Sequence, residues 1–92
     1  MNEKISVNEA TKQFELNTPN GLALIAYETE GDTMSILHTE VPEEMEGQGV
    51  ASDLAKFALD YAREKKLKVK VYCQFVQVYL KRHPQYQDLI VS

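Results

Sequence analysis

Three features of this 92-residue sequence predict one small α/β (α+β) domain spanning 1–92, in which antiparallel N-terminal strands lead into a βαβ crossover and a short C-terminal helix. Before Pro42 the apolar residues come in short alternating or continuous runs broken by turn-forming residues, the strand pattern. Between Val50 and about Lys66 they recur at every third or fourth position, the helix pattern. Beyond Leu67 a short strand pattern and then a second helical one follow. A chain of this size can build a single small core.

Taken in order, Ile5 to Leu16 reads as one or two short strands around the polar Asn8-Glu9, with Phe14 and Leu16 on one face. Asn17-Thr18-Pro19-Asn20-Gly21 collects turn residues and marks a reversal. Gly21 to Thr29 is apolar almost throughout, as expected of a strand buried on both faces. Glu30-Gly31-Asp32 is the next turn. Thr33 to Val41 alternates, which sets Met34, Ile36 and His38 on one face and Leu37, Thr39 and Val41 on the other.

The helix from Val50 gathers Val50, Ala51, Leu54, Ala55, Ala58, Leu59, Tyr61 and Ala62 on its inner side, opposite Asp53, Lys56, Asp60, Arg63 and Glu64. Leu67 to Cys73 alternates as a strand. Gln74 to Arg82 returns to helical spacing and stops at His83, because Pro84 disfavours helical geometry in the residue before it. Gln85 to Val91 is a tail whose Tyr86, Leu89 and Ile90 can pack back on the body. Two strands joined by one helix form a right-handed crossover, so strands 33–41 and 67–73 are expected to be parallel neighbours.

Composition excludes several functions. No apolar run approaches the ~20 residues that span a bilayer, and Met1-Asn2-Glu3-Lys4 opens no signal peptide, so a cytoplasmic location with no membrane partner is expected. One cysteine and two histidines supply no zinc ligand set, so no metal is expected. The chain carries a net charge of −4; up to Asp53 two basic residues face eleven acidic ones, and from Leu54 eight basic face three acidic, giving halves of −9 and +5. The acidic balance argues against a nucleic-acid groove.

The segment Val41-Pro42-Glu43-Glu44-Met45-Glu46-Gly47-Gln48-Gly49-Val50-Ala51 joins strand to helix and holds two glycines one residue apart. Such glycines permit a tight turn whose N–H groups, with the helix dipole, can converge on an anion such as a diphosphate. Neither the nucleotide phosphate loop nor the dinucleotide fingerprint is present, since Gly-Lys-Ser/Thr is absent and position 52 is Ser. Ligands of βαβ units bind at the carboxyl ends of the strands, where this turn and Cys73 both lie.

Glu46-Gly47-Gln48-Gly49-Val50-Ala51 resembles the acetyl-CoA motif of the GNAT acetyltransferase superfamily, Gln/Arg-x-x-Gly-x-Gly/Ala. His38-Thr39-Glu40-Val41-Pro42 before it, and Cys73-x-Phe75-Val76-x-x-Tyr79-x-x-x-His83-Pro84-x-Tyr86-x-x-Leu89 after it, resemble the minimal GNAT-like proteins. The resemblance implies that backbone N–H groups of Glu46 through Ala51 hold the diphosphate of acetyl-CoA, with Val41 and Tyr79 also lining its site. It places the pantetheine arm between the splayed ends of the two parallel strands. It implies transfer to an unidentified amine acceptor, a protein amine being one option, with Cys73 and His38 as catalytic residues and Tyr79 as the acid that protonates the leaving thiolate.

On chemistry, a thiol of pKa ~8.5 reacts well only as thiolate, and a nearby imidazole such as His38 is a usual means. Glu40 is a further candidate base, while Cys73 can equally be a small buried apolar side chain. The chain departs from the superfamily in carrying Glu46 where Gln or Arg is favoured, and in lacking the helices that larger members insert between their first two strands. Two alternatives therefore stand beside the acetyltransferase: a CoA-binding module without turnover, and a protein-interaction domain on the same scaffold. Monomer and homodimer are equally compatible with the sequence.

Overall fold

The computed structural model describes residues 5–45 and 47–91. In chain order the elements are β1 (Ile5–Asn8), β2 (Gln13–Thr18), β3 (Gly21–Glu30), β4 (Thr33–Glu40), a 3-10 turn (Glu43–Met45), α1 (Val50–Glu64), β5 (Lys68–Val71), α2 (Gln74–Arg82) and a second 3-10 turn (Pro84–Leu89). The strands form one sheet in the order β1-β2-β3-β4-β5, antiparallel up to β4 and parallel between β4 and β5. This is the expected α+β architecture with its βαβ crossover.

The core lies between one face of the sheet and α1, which crosses β2 through β5. Phe14 of β2 is fully buried at its centre, its ring 4.6 Å from Tyr27, 5.9 Å from Phe57 and 5.2 Å from Tyr61. From α1 the core takes Val50, Leu54, Ala55, Ala58, Leu59 and Ala62, six of the eight positions the period assigns to it; Ala51 and Tyr61 are half-buried. α2 and the C-terminal 3-10 turn pack against α1 rather than behind the sheet. The opposite face carries no helix among the described residues; it exposes Ser6, Glu28, His38, Glu40, Lys68 and Lys70 and also holds Leu22, Leu24 and Ala26 of β3.

The structure corrects two expectations and extends a third. β3 is buried in succession only at Ala23, Leu24 and Ile25, and is exposed at Leu22 and from Glu28 on. β4 does not alternate to its end: Ala26 faces His38 but Tyr27 faces Ile36, which leaves Leu37 as an extra residue in a β-bulge. A bulge of one residue flips every side chain beyond it. Met34 and Ile36 are therefore buried while His38 is exposed, and Thr39 turns toward the core face. The tail packs on the body through Tyr86, Leu89 and Ile90 as expected, and in addition Ile90 bridges to Val69 and the Val91 N–H donates to the Val69 carbonyl at 2.9 Å, covering the outer edge of β5.

Candidate functional site

The loop between β4 and α1 owes its shape to Gly47 and Gly49, both at φ 82°, a conformation in which a Cβ meets its own backbone. A Cβ built on either glycine meets no other atom within 4 Å, so backbone conformation and not crowding explains them. Gly49 is the N-cap of α1 and brings no side-chain acceptor. The Asp53 N–H bonds back to the Gly49 carbonyl at 2.9 Å. The N–H groups ahead of it, at Val50, Ala51 and Ser52, belong to the first turn, whose donors have no partner inside the helix. They carry the positive end of the helix dipole.

Over this turn lies an open cavity of about 560 Å³. Met45, Gly47, Gly49, Val50, Ala51 and Ser52 form one wall; Thr39 and Val41 at the end of β4, with Phe75 of α2, form the other. Polar donors on one side and apolar surface on the other suit a ligand with an anionic part and a slender apolar arm. On this side β4 and β5 cease to pair. Their backbone pairing ends at Ile36 and Val71, with the Tyr72 N–H donating to the Ile36 carbonyl at 2.8 Å. Beyond that the fork is spanned by side chains, Thr39 Oγ1 and Cys73 Sγ standing 3.2 Å apart.

Of the expected site residues, Val41, Gly47, Gly49, Val50 and Ala51 stand together in the cavity wall. Gln48 does not; its Nε2 folds back to donate to the Glu44 carbonyl at 3.3 Å. Glu46 lies outside the described residues. Cys73, 8% exposed, is at the N-cap of α2 behind Thr39. The bulge separates it from His38, whose Nε2 pairs with Glu40 Oε2 at 3.0 Å on the open face of the sheet. The structure thus does not bring His38 to Cys73.

Tyr79 is not in the cavity wall either. Its ring stacks on His83 at 4.0 Å, and burial raises its hydroxyl above the ordinary tyrosine value while Lys56 on α1 pulls it the other way. Sequence reasoning missed Thr39, Met45, Ser52 and Phe75 as wall residues. Thr39 and Phe75 sit inside the two segments singled out around the glycine turn, but nothing in them marks which side faces the ligand. No cluster of three or more His, Cys, Asp or Glu side chains that could hold a metal occurs among the described residues. Nor is any described helix long and apolar enough to cross a membrane.

Residues 13–89, nearly the whole of this architecture, match the family model described as GCN5-related N-acetyl-transferase. The chain belongs to the GCN5-related N-acetyltransferase (GNAT) family. Relatives in the family include Protein NATD1 of Danio rerio, 36% identical over 93 residues that cover 96% of this chain and 84% of the relative. Protein NATD1 of Gallus gallus is 40% identical over 81 residues, covering 85% and 74%. A solution NMR structure from Staphylococcus aureus, described as GCN5-like, superposes with a TM-score of 0.74 at 30% identity, covering 98% of this chain and 91% of that one. That likeness agrees with the five-stranded mixed sheet and its helix-covered face. An acetyltransferase-like function follows for this GNAT chain at the level of the family.

Proposed function

We propose that this protein is an acetyl-CoA-dependent N-acetyltransferase acting on an amine acceptor. The observation that carries the reading is the cavity itself. Its one wall is the uncapped first turn of α1 with two left-handed glycines, and its other wall leads to the fork between β4 and β5. Backbone N–H groups of Gly47 through Ala51 would hold the diphosphate, the mode by which helix N-termini bind phosphate generally. Val41, Met45 and Phe75 would flank the pantetheine arm.

GNAT enzymes generally use acetyl-CoA, and bound here it would supply the acetyl group as a thioester. Transfer would join the amine nitrogen to the thioester carbonyl carbon and break its C–S bond, the nitrogen's proton going to the CoA thiolate. Cys73 is the nucleophilic side chain closest to the fork. His38, on the opposite face, is not placed to activate it, and Thr39 is the side chain that meets the Cys73 sulfur there.

The test is a thermal shift with acetyl-CoA, CoA and ATP separately. A ligand at one hundred times its dissociation constant stabilises the native state by about 2.7 kcal/mol, several degrees in a domain this small. A shift with both CoA forms and none with ATP is expected, followed by product in an amine screen. Binding without product over a broad amine panel would favour the CoA-binding module. No shift at millimolar ligand would overturn the cofactor site and favour the interaction domain.

A further inference from the structure

Thr39 closes the cavity on the side of the fork. The bulge at Leu37 sets it opposite Ile25, a fully buried residue of the core face, whereas without the bulge His38 would stand there. One side of Thr39 lines the cavity, and its hydroxyl oxygen lies 3.2 Å from the Cys73 sulfur. Cys73 is buried and outside the wall, so Thr39 separates it from the cavity. Cys73 in turn belongs to the same core as Ile25, Ile36 and Val76, all three fully buried. Such a core is close-packed. The cavity therefore ends here against a side chain that is backed by core and not by solvent.

We propose that Thr39, by its bulk, sets the length of the acyl group that the cavity accepts, admitting acetyl and rejecting longer chains. This role rests on the acetyl-CoA reading above. A thioester whose diphosphate lies on the glycine turn carries its acyl end toward the other wall, where Thr39 stands in the fork. An acetyl group stops against it. Each further methylene has to push Thr39 from Cys73, breaking their contact and overfilling the core behind, or else turn back into the cavity. Selection of this kind works by excluding the wrong ligand more than by gripping the right one. The bulge matters because it chooses the stop: the imidazole of His38 would fill more of the fork than threonine does.

Affinities for CoA, acetyl-CoA and butyryl-CoA, measured by isothermal titration, read the stop directly and need no amine acceptor. Wild type should bind butyryl-CoA at least about tenfold more weakly than acetyl-CoA, the least that a misfitting methylene costs in a close apolar site. Thr39→Ala removes the hydroxyl and the methyl, makes room for the longer chain, and should bring the two affinities within about threefold of each other. Thr39→Val keeps the branched shape without the hydroxyl and should discriminate as wild type does.

Equal affinity of wild type for acetyl-CoA and butyryl-CoA would overturn the role of Thr39 while leaving the cofactor site in place. A preference for acetyl that Thr39→Ala does not relax would overturn it too. So would a preference lost equally in Thr39→Val, because the hydroxyl and not the bulk would then be responsible. Thermal melts establish that each variant folds. Where Thr39→Ala does not, Thr39→Ser, which removes the methyl alone, takes its place: it should relax the preference part of the way, and an unchanged preference would count against the stop. Failure of folded wild type to bind CoA or either thioester would overturn the cofactor reading and this role with it.

Discussion

At its C-terminal end α1 is tied on every side, whereas at its N-terminal end it stops at a glycine that offers no side-chain acceptor. Arg63 donates to both oxygens of Asp88 at 3.1 and 3.0 Å and to the Gln85 carbonyl at 2.7 Å. Tyr86 donates its hydroxyl to Asp60 at 2.7 Å. The Leu67 N–H reaches the Ala62 carbonyl and the Lys66 N–H the Arg63 carbonyl, at 2.8 and 3.2 Å, the double bond pattern that closes a helix end. At the first turn the N-cap, Gly49, makes no side-chain cap hydrogen bond. The difference teaches where function can reside: a helix anchored at one end can leave the donors of the other for a ligand without coming loose.

The most severe way to break that comparison is to remove the anchor. Tyr86 is 5% exposed, its ring 6.5 Å from Tyr79 and beneath Arg63. Tyr86→Ala should cost about 3–5 kcal/mol, the usual loss for a buried aromatic, read by urea denaturation. Whatever fraction stays folded should keep its acetyl-CoA shift, because the anchor does not touch the cavity. Loss of that shift in folded protein would show that the two ends are coupled.

Next in size is the opposite end. Gly49→Ala places a Cβ at φ 82° and should cost about 1–2 kcal/mol of strain. Gly31, at φ 61° in the β3–β4 turn, should pay a similar penalty on substitution by alanine. Only the Gly49 variant should lose the stabilisation by acetyl-CoA, since only there does the backbone line the cavity. Equal retention of the shift in both variants would sink the diphosphate role of the turn.

What the sequence revealed and what it hid divide along the same lines. α1 begins at Val50 and α2 runs from Gln74 to Arg82 as read, because periodicity and the Pro84 stop are local properties. Val41, Gly47, Gly49, Val50 and Ala51 reach one wall because they lie in one contiguous turn. The bulge at Leu37 was invisible: one extra residue leaves composition and apparent alternation unchanged, and only pairing with Ala26 and Tyr27 shows it. Hence His38 read as the partner of Cys73 although Thr39 is. Tyr79 likewise depends on how α2 is rotated, which its packing on His83 decides. The Asp60–Tyr86 and Val69–Val91 contacts join distant segments that no local pattern links.

A finer cut at the anchored end is Tyr86→Phe, which keeps the ring and deletes one hydrogen bond, for about 1 kcal/mol at neutral pH. Its pH dependence sharpens the assignment. Burial first, and then the bond to Asp60, hold the Tyr86 hydroxyl well above the ordinary tyrosine value. A folded-state value above the unfolded one gives stability that is fully present below pH ~10 and lost as pH climbs toward the folded value. Tyr86→Phe should therefore flatten the alkaline decline of wild type. Tyr79 and Tyr27, also raised chiefly by burial, should leave part of it. An unchanged alkaline limb in equilibrium unfolding would contradict the assignment.

The smallest effect tests whether Asp60 is held from outside as well. Lys56 Nζ lies 2.9 Å from Asp60 Oδ2, with the side chains 64% and 47% exposed. Burial works to raise the Asp60 carboxyl, but the hydrogen bonds from Lys56 and Tyr86 overcome it and leave it below the ordinary carboxylate value. The stability this confers is present above pH ~3.9 and is lost as pH falls through the lower folded value. Lys56→Ala should cost only about 0.3–0.5 kcal/mol, as exposed pairs four residues apart do, and less still in 1 M salt. A loss as large as that of Tyr86→Phe, undiminished by salt, would mean that the exposed lysine and not the buried tyrosine keeps Asp60 ionised, and the anchor would then lie on the surface of α1 instead of under its tail.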